Sequence, residues 1–77
     1  MALNNEYEKS VGANIRRCRE ERRLTQEELS ARMQTCGCDV TRSALAKIEV
    51  GQRHIYVDEL RIIKTLLDIE YSDLLGE

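Results

Sequence analysis

An all-α domain, a compact bundle of about five short helices, is what this chain predicts, and three observations carry the prediction. Proline is absent, glycines number only four, and no segment alternates apolar and polar residues as a half-buried strand would. The apolar residues recur instead at spacings of three and four, the period of one helical face. The stretch from Thr25 to Gly51, TQEELSARMQTCGCDVTRSALAKIEVG, reads as two short helices joined by a turn, each opening on a threonine. A chain of 77 residues makes one domain near the lower limit for an unassisted core, so every helix has to contribute a wall.

Taken in order, residues 1–9 are polar and without periodicity, which predicts a flexible N-terminal arm before a domain over 10–77. Ser10 is the candidate cap of a first helix, with Val11, Ile15 and Cys18 at i, i+4 and i+7 on one face. Its other faces carry Arg16, Arg17, Arg19, Arg22 and Arg23, partly offset by Glu20 and Glu21. Such a face is either solvated and laced with local ion pairs or turned towards phosphates. Leu24 then staples the start of the second helix. Thr25 and Glu28 form a capping box, the hydroxyl taking a first-turn amide while the carboxylate reaches back. Leu29 and Met33 give that helix a narrow buried stripe.

Between Met33 and Thr41, QTCGCDV is longer than a tight inter-helix turn; Gly37 supplies a positive φ and Val40 a hydrophobic staple for the third helix. Thr41 caps that helix, Leu45 and Ile48 are its buried pair, and Gly51 ends it by entering the left-handed region without steric cost. Past the polar GQRH, Ile55 and Tyr56 are expected as buried anchors of a loop. A fourth helix is expected over Val57–Asp68, with Asp58 and Glu59 in the first turn, where the helix dipole favours anions. Its apolar arc is wider than one buried face requires: Leu60, Ile63 and Leu67 face the core, and Ile62 and Leu66 are left on the edge. A last turn, Tyr71–Leu75, adds Leu74 and Leu75.

The formal charge of −2 conceals an asymmetry. Residues 1–56 hold ten Lys/Arg against eight Asp/Glu, whereas residues 57–77 hold two against six. The acidic excess is C-terminal, so a basic face can survive on the rest. No apolar run approaches the ~20 residues of a membrane span. The N-terminus lacks a signal-peptide pattern, which predicts a cytoplasmic protein with reduced thiols. Cys18, Cys36, Cys38 and His54 amount to the inventory of a Cys3His zinc site, but C-x-C is a poor knuckle spacing and Cys18 lies on the core face. The expectation is no metal and no cofactor, a buried Cys18 and two exposed loop thiols. An enzyme is not expected: there is no phosphate-cradling glycine loop, no catalytic dyad spacing and one histidine.

Three phrases, NIRRCREERRLTQEEL, TRSALAKIEVGQR and a leucine-rich helix ending in YSDLL, together resemble the phage-repressor and Cro-type helix-turn-helix family, the XRE-like regulators with a lambda-repressor-like DNA-binding domain. The resemblance covers about residues 10–75 and implies a small transcriptional regulator, a probable repressor, whose recognition helix, about Thr41–Glu49, lies in the major groove. It implies base contacts from Arg42, Ser43, Ala46 and Lys47. Arginine suits guanine because two donors match O6 and N7, which makes Arg42 the leading candidate for base readout; the plainer alternative for it is a phosphate clamp at the groove edge. It implies phosphate contacts from Gln26, Thr41, Gln52 and Arg53, and more weakly from Arg16 and Arg17. Arg19 and Glu49 match a structural ion pair between the first and third helices.

The partner implied is double-stranded DNA, bound by a homodimer of a cytoplasmic, nucleoid-associated protein of bacterial or phage origin, with Ile62, Leu66, Ile69 and Tyr71 at the dimer interface. Two departures stand out: the longer inter-helix turn, and Arg23 where the family often carries a C-cap glycine. The alternative is a protein-interaction module of the same fold, an antitoxin or anti-repressor with weak or no DNA binding, using the same apolar edge.

Overall fold

The computed structural model describes residues 5–76, and among these five helices follow one another without a strand. They are α1 (Asn5–Glu21), α2 (Gln26–Thr35), α3 (Arg42–Glu49), α4 (Val57–Leu67) and α5 (Tyr71–Leu75). α1 is the spine, packed against α3, α4 and α5, and α2 lies between α3 and α4. Helix α1 begins at Asn5, so Ser10 sits in its interior rather than at its cap. The last five residues of the expected arm are helical, and residues 1–4 lie outside the described residues.

The core is assembled from one or two residues per turn of each helix. Val11, Ile15 and Cys18 of α1 meet Leu29 and Met33 of α2, Leu45 and Ile48 of α3, Ile63 and Leu67 of α4 and Leu74 of α5, all buried. Leu24, Ile55, Leu60, Ile62, Leu66, Ile69 and Leu75 pack around it half-buried. Tyr56, expected as a buried anchor, is 62% exposed. Only Ile55 of that pair turns inward. The Tyr56 ring instead lies 5.6 Å from the Arg53 guanidinium, where its hydroxyl stays in water.

Four helices end in the same way. After α1, α2, α3 and α4, the chain takes one residue with positive φ, namely Arg23 (58°), Gly37 (84°), Gly51 (79°) and Asp68 (55°). The next amide then reaches back five residues: Leu24 to the Arg19 carbonyl, Cys38 to Met33, Gln52 to Lys47 and Ile69 to Lys64, at 2.8–3.2 Å. This is the Schellman arrangement, which satisfies otherwise orphaned carbonyls; in three of the four, with Leu24, Cys38 and Ile69, it also turns an apolar residue back onto the helix.

That closure explains the inserted stretch. α2 runs on to Thr35, so part of the extra sequence extends a helix and the connection to α3 is only Cys36–Thr41. Cys38 is the residue turned back by the closure, against the buried Met33. It is therefore buried, not the exposed thiol expected, while Cys36 is exposed. Burial, together with the nearby Glu59 and Asp58 carboxylates, pushes the Cys38 thiol pKa up and keeps it protonated. Val40 is fully buried, and the Gln34 side-chain amide donates to its carbonyl at 3.0 Å.

The crossing of α1 and α3 depends on Gly12. A Cβ built there would lie 2.2 Å from the Ile48 carbonyl oxygen and 2.9 Å from the Glu49 backbone, so only glycine lets the two helices approach so closely. Arg23, by contrast, is a side chain held in the left-handed region, at a cost of about 1–2 kcal/mol. Arg23→Gly is expected to stabilise the fold by about 0.5–1 kcal/mol, the relief of strain being partly offset by a freer unfolded chain. Urea melts of the two proteins check it; an unchanged or lower midpoint would mean that the strain is negligible.

Candidate functional site

The outer face of α3 is built from its N-terminus onwards. Thr41 caps the helix, its hydroxyl accepting the Ala44 amide at 3.1 Å, which fixes the direction in which the first turn leaves. Leu45 and Ile48 anchor the inner face. Arg42, Ser43 and Lys47 are left exposed on the other side, with Ala46 half-buried beside them. None of the three exposed side chains has a hydrogen-bond or ion-pair partner among the described residues. Two cations and a hydroxyl are thus presented to solvent on one two-turn helix.

Glu49 is the one acidic residue of α3, and it is withdrawn from that face. Its carboxylate, 1% exposed, takes Arg19 in a two-pronged pair, Nε to Oε2 at 2.7 Å and Nη2 to Oε1 at 3.1 Å. Gln26 Nε2 donates to the same Oε1 at 2.9 Å, and Arg19 Nη1 donates to the Leu24 carbonyl at 2.7 Å. Four segments meet here: α1, the turn after it, the start of α2 and the end of α3. Gln26, expected at a phosphate, spends one of its two side-chain amide protons on Glu49.

Thr25 is the N-cap of α2, with its hydroxyl taking the Glu28 amide at 3.0 Å and the Glu28 carboxylate taking the Thr25 amide at 2.8 Å. The Thr25 backbone and then its hydroxyl hold the Glu28 carboxyl below its usual range. The first turn of α2 is thereby pinned beside the end of α3.

Two of the expected phosphate contacts are placed differently by the structure. Arg17 donates to Asn14 Oδ1 at 2.8 Å and to the Asp73 carbonyl at 3.2 Å. It clamps α5 to α1 alongside the Asn14–Leu74 bond, on a side of α1 that is about 140° around from Gly12 at ~100° per residue. Arg53 forms a two-pronged pair with Glu59, at 2.9 and 3.0 Å, and donates to the His54 carbonyl. Its charge is neutralised by α4. Arg16 pairs with Glu20 at 3.2 Å on the solvated face of α1, and Gln52 is exposed at the exit of α3.

Glu59, Gly12 and the His54–Glu8 contact are the parts of the site that sequence reasoning missed. A glycine inside a helical pattern is itself a signal of a close packing contact. Glu59 reads in the sequence only as a dipole partner, yet it also accepts the Tyr56 amide at 3.0 Å, so it caps α4 while holding Arg53. Arg53 in turn holds the Glu59 carboxyl below its usual range, against the opposite push of burial.

Along α4, Ile62 and Leu66 line an apolar groove of about 350 Å³ with Cys36, Asp58, Arg61 and Thr65. Ile69 is half-buried next to the exposed Tyr71, whose ring lies 5.2 Å from Lys64 Nζ. Among the described residues, no three of His, Cys, Asp and Glu come together as a metal site, and no helix is long and apolar enough to cross a membrane.

These pairs can be tested by removing one partner at a time. Glu49→Ala leaves the buried Arg19 without its counter-ion and is expected to cost about 3–5 kcal/mol in denaturant unfolding. A loss below about 1 kcal/mol would show the pair to be dispensable. Glu59→Gln should cost about 1–3 kcal/mol at pH 7. A carboxyl held low in the folded state stabilises above its unfolded pKa and loses that contribution as pH falls through the folded one. The gap between wild type and Glu59→Gln should therefore close below about pH 4; a gap independent of pH would assign it to packing.

A family model described as helix-turn-helix matches residues 15–74, from the middle of α1 into α5. No curated protein and no solved structure matches the chain.

Proposed function

This chain belongs to the Cro/XRE-like helix-turn-helix family of DNA-binding regulators, and from that premise we propose that it is a small transcriptional repressor that binds a specific double-stranded DNA sequence. The observation that carries the proposal is the charge arrangement of α3. Arg42, Ser43 and Lys47 stand exposed and unpartnered among the described residues, while the only carboxylate of the helix is buried under Arg19 and Gln26. A helix so arranged can lie in a major groove without repelling the phosphates on either side.

In this reading α3 enters the groove N-terminus first. Arg42 donates two hydrogen bonds to a guanine edge, Ser43 and Lys47 reach neighbouring acceptors, and Ala46 lies against a thymine methyl. Thr41, Gln52 and the solvated Arg16 contact backbone phosphates, and Gln26 steadies Glu49 while its backbone amide, at the start of α2, faces a phosphate. Arg17 and Arg53 are assigned to the fold rather than to DNA, because their guanidinium groups are engaged with α5 and α4, whereas Arg16 has only a solvent-exposed pair with Glu20.

Two copies joined through Ile62, Leu66, Ile69 and Tyr71 would set half-sites one helical turn apart, ~34–36 Å. The same half-buried edge supports the second reading, a protein-interaction module with weak DNA binding. The free cations of α3 favour the first, since a module that has no nucleic acid to bind gains nothing from leaving them unpaired.

Selection from a random-sequence duplex library at two salt concentrations, with wild type and Arg42→Ala, tests the proposal. The expected result is enrichment of a two-fold symmetric site whose binding falls steeply with salt. Arg42→Ala should lose ~1–3 kcal/mol and relax the preference at one base position. Equal losses on all sequences would make Arg42 a phosphate contact, and no enrichment at low salt would overturn the repressor reading.

A further inference from the structure

A polar pocket of about 510 Å³ opens where the N-terminal part of α1 meets the turn after α3, lined by Glu8, Lys9, Gly51, Gln52, Arg53, His54 and Tyr56. Its charges are unevenly committed. The Glu8 carboxylate contacts His54 Nδ1, and the Arg53 guanidinium is occupied by Glu59. Lys9 has no hydrogen-bond or ion-pair partner among the described residues, and it is exposed. It is the lining cation left with an unanswered charge.

Lys9 is also held in place. Gly12, three residues further along α1 and near the same face, brings the helix against the Ile48 and Glu49 backbone. At Gly51 the approach is equally close: a Cβ there would lie 2.4 Å from Lys9 Cγ and 3.0 Å from Lys9 Cα. The lysine stem therefore lies across the C-terminal closure of α3, beside the exposed Gln52. The Gln52 backbone is fixed in turn by the hydrogen bond that its N–H donates to the Lys47 carbonyl at 2.8 Å. An ammonium and a side-chain amide thus flank one pocket immediately past the exit of α3.

We propose that Lys9 joins Gln52 of the α3 exit as a phosphate-binding pair for the DNA backbone, extending the contact surface to the N-terminal part of α1. The inference rests on the DNA-binding reading above. A lysine acts at such a site as a point charge, so its effect should be independent of sequence and sensitive to salt.

The experiment is fluorescence anisotropy of the full chain on the selected duplex and on a scrambled duplex across a salt series, for wild type, Lys9→Gln, Lys9→Arg and Lys64→Gln. Lys64→Gln makes the same charge change on α4, where Lys64 stacks on Tyr71. Lys9→Gln is expected to weaken both duplexes roughly three- to tenfold at moderate salt and to flatten the slope of log K against log salt by about 0.9. Lys9→Arg should keep wild-type affinity within about twofold, and Lys64→Gln should leave the salt slope near wild type. A Lys9→Gln protein indistinguishable from Lys64→Gln, on duplexes that wild type binds, overturns this inference alone. Failure of wild type to bind either duplex overturns both readings.

Discussion

The buried pair of Arg19 and Glu49 is the constraint on which the rest of the structure depends. Each charge would be costly alone in the interior, and together they are stable because each nitrogen of Arg19 and each oxygen of Glu49 has a partner, Gln26 and the Leu24 carbonyl completing the set. Satisfying all of these bonds at once fixes the relative positions of α1, the start of α2 and the end of α3. It does so at the small-residue crossing where Gly12 lets the α1 and α3 backbones nearly touch. A network of this kind specifies geometry more than it adds stability, since well-packed apolar residues could hold the same volume.

The arginines of the chain divide by what their neighbours leave them. Arg19 and Arg53 are each gripped by both oxygens of one carboxylate, and Arg17 is spent on Asn14 and the carbonyl end of α5. These three hold helices together. Arg42 and Lys47, on a short helix, form no ion pair among the described residues and keep their charge exposed. A planar guanidinium that finds a carboxylate at the right distance is a structural part, whereas one that does not remains available to an anionic partner. Counting basic residues, or taking net charge, cannot make this distinction.

The repeated helix closure does comparable work for the connections. Placing one residue in the left-handed region and bonding the next amide back to the helix lets each connection leave in a defined direction without a long loop. Two of the four positions use glycine, and two force Arg23 and Asp68 into the same conformation. Since the second closure absorbs the extra residues between the motif helices, α3 can still dock on α1 and α2, and the pair keeps its buried seam.

Much of this was legible in the sequence by itself. The helix count, the Thr25 and Thr41 caps and the core positions from Val11 to Leu74 come from local periodicity and capping chemistry. These are interactions between residues a few positions apart, which a one-dimensional pattern records. The exposed α3 residues are legible too, as the complement of the buried Leu45 and Ile48. What the sequence left open was decided by how elements pack on one another, some partners lying far apart in the chain and others only five or six residues away. Arg53 and Arg17 were committed to partners on other elements, Cys38 was buried by the closure of α2, Tyr56 was turned outwards, and Lys9 was laid over Gly51. A side chain's local pattern states whether it prefers water; only the packed neighbours decide which charge it meets there.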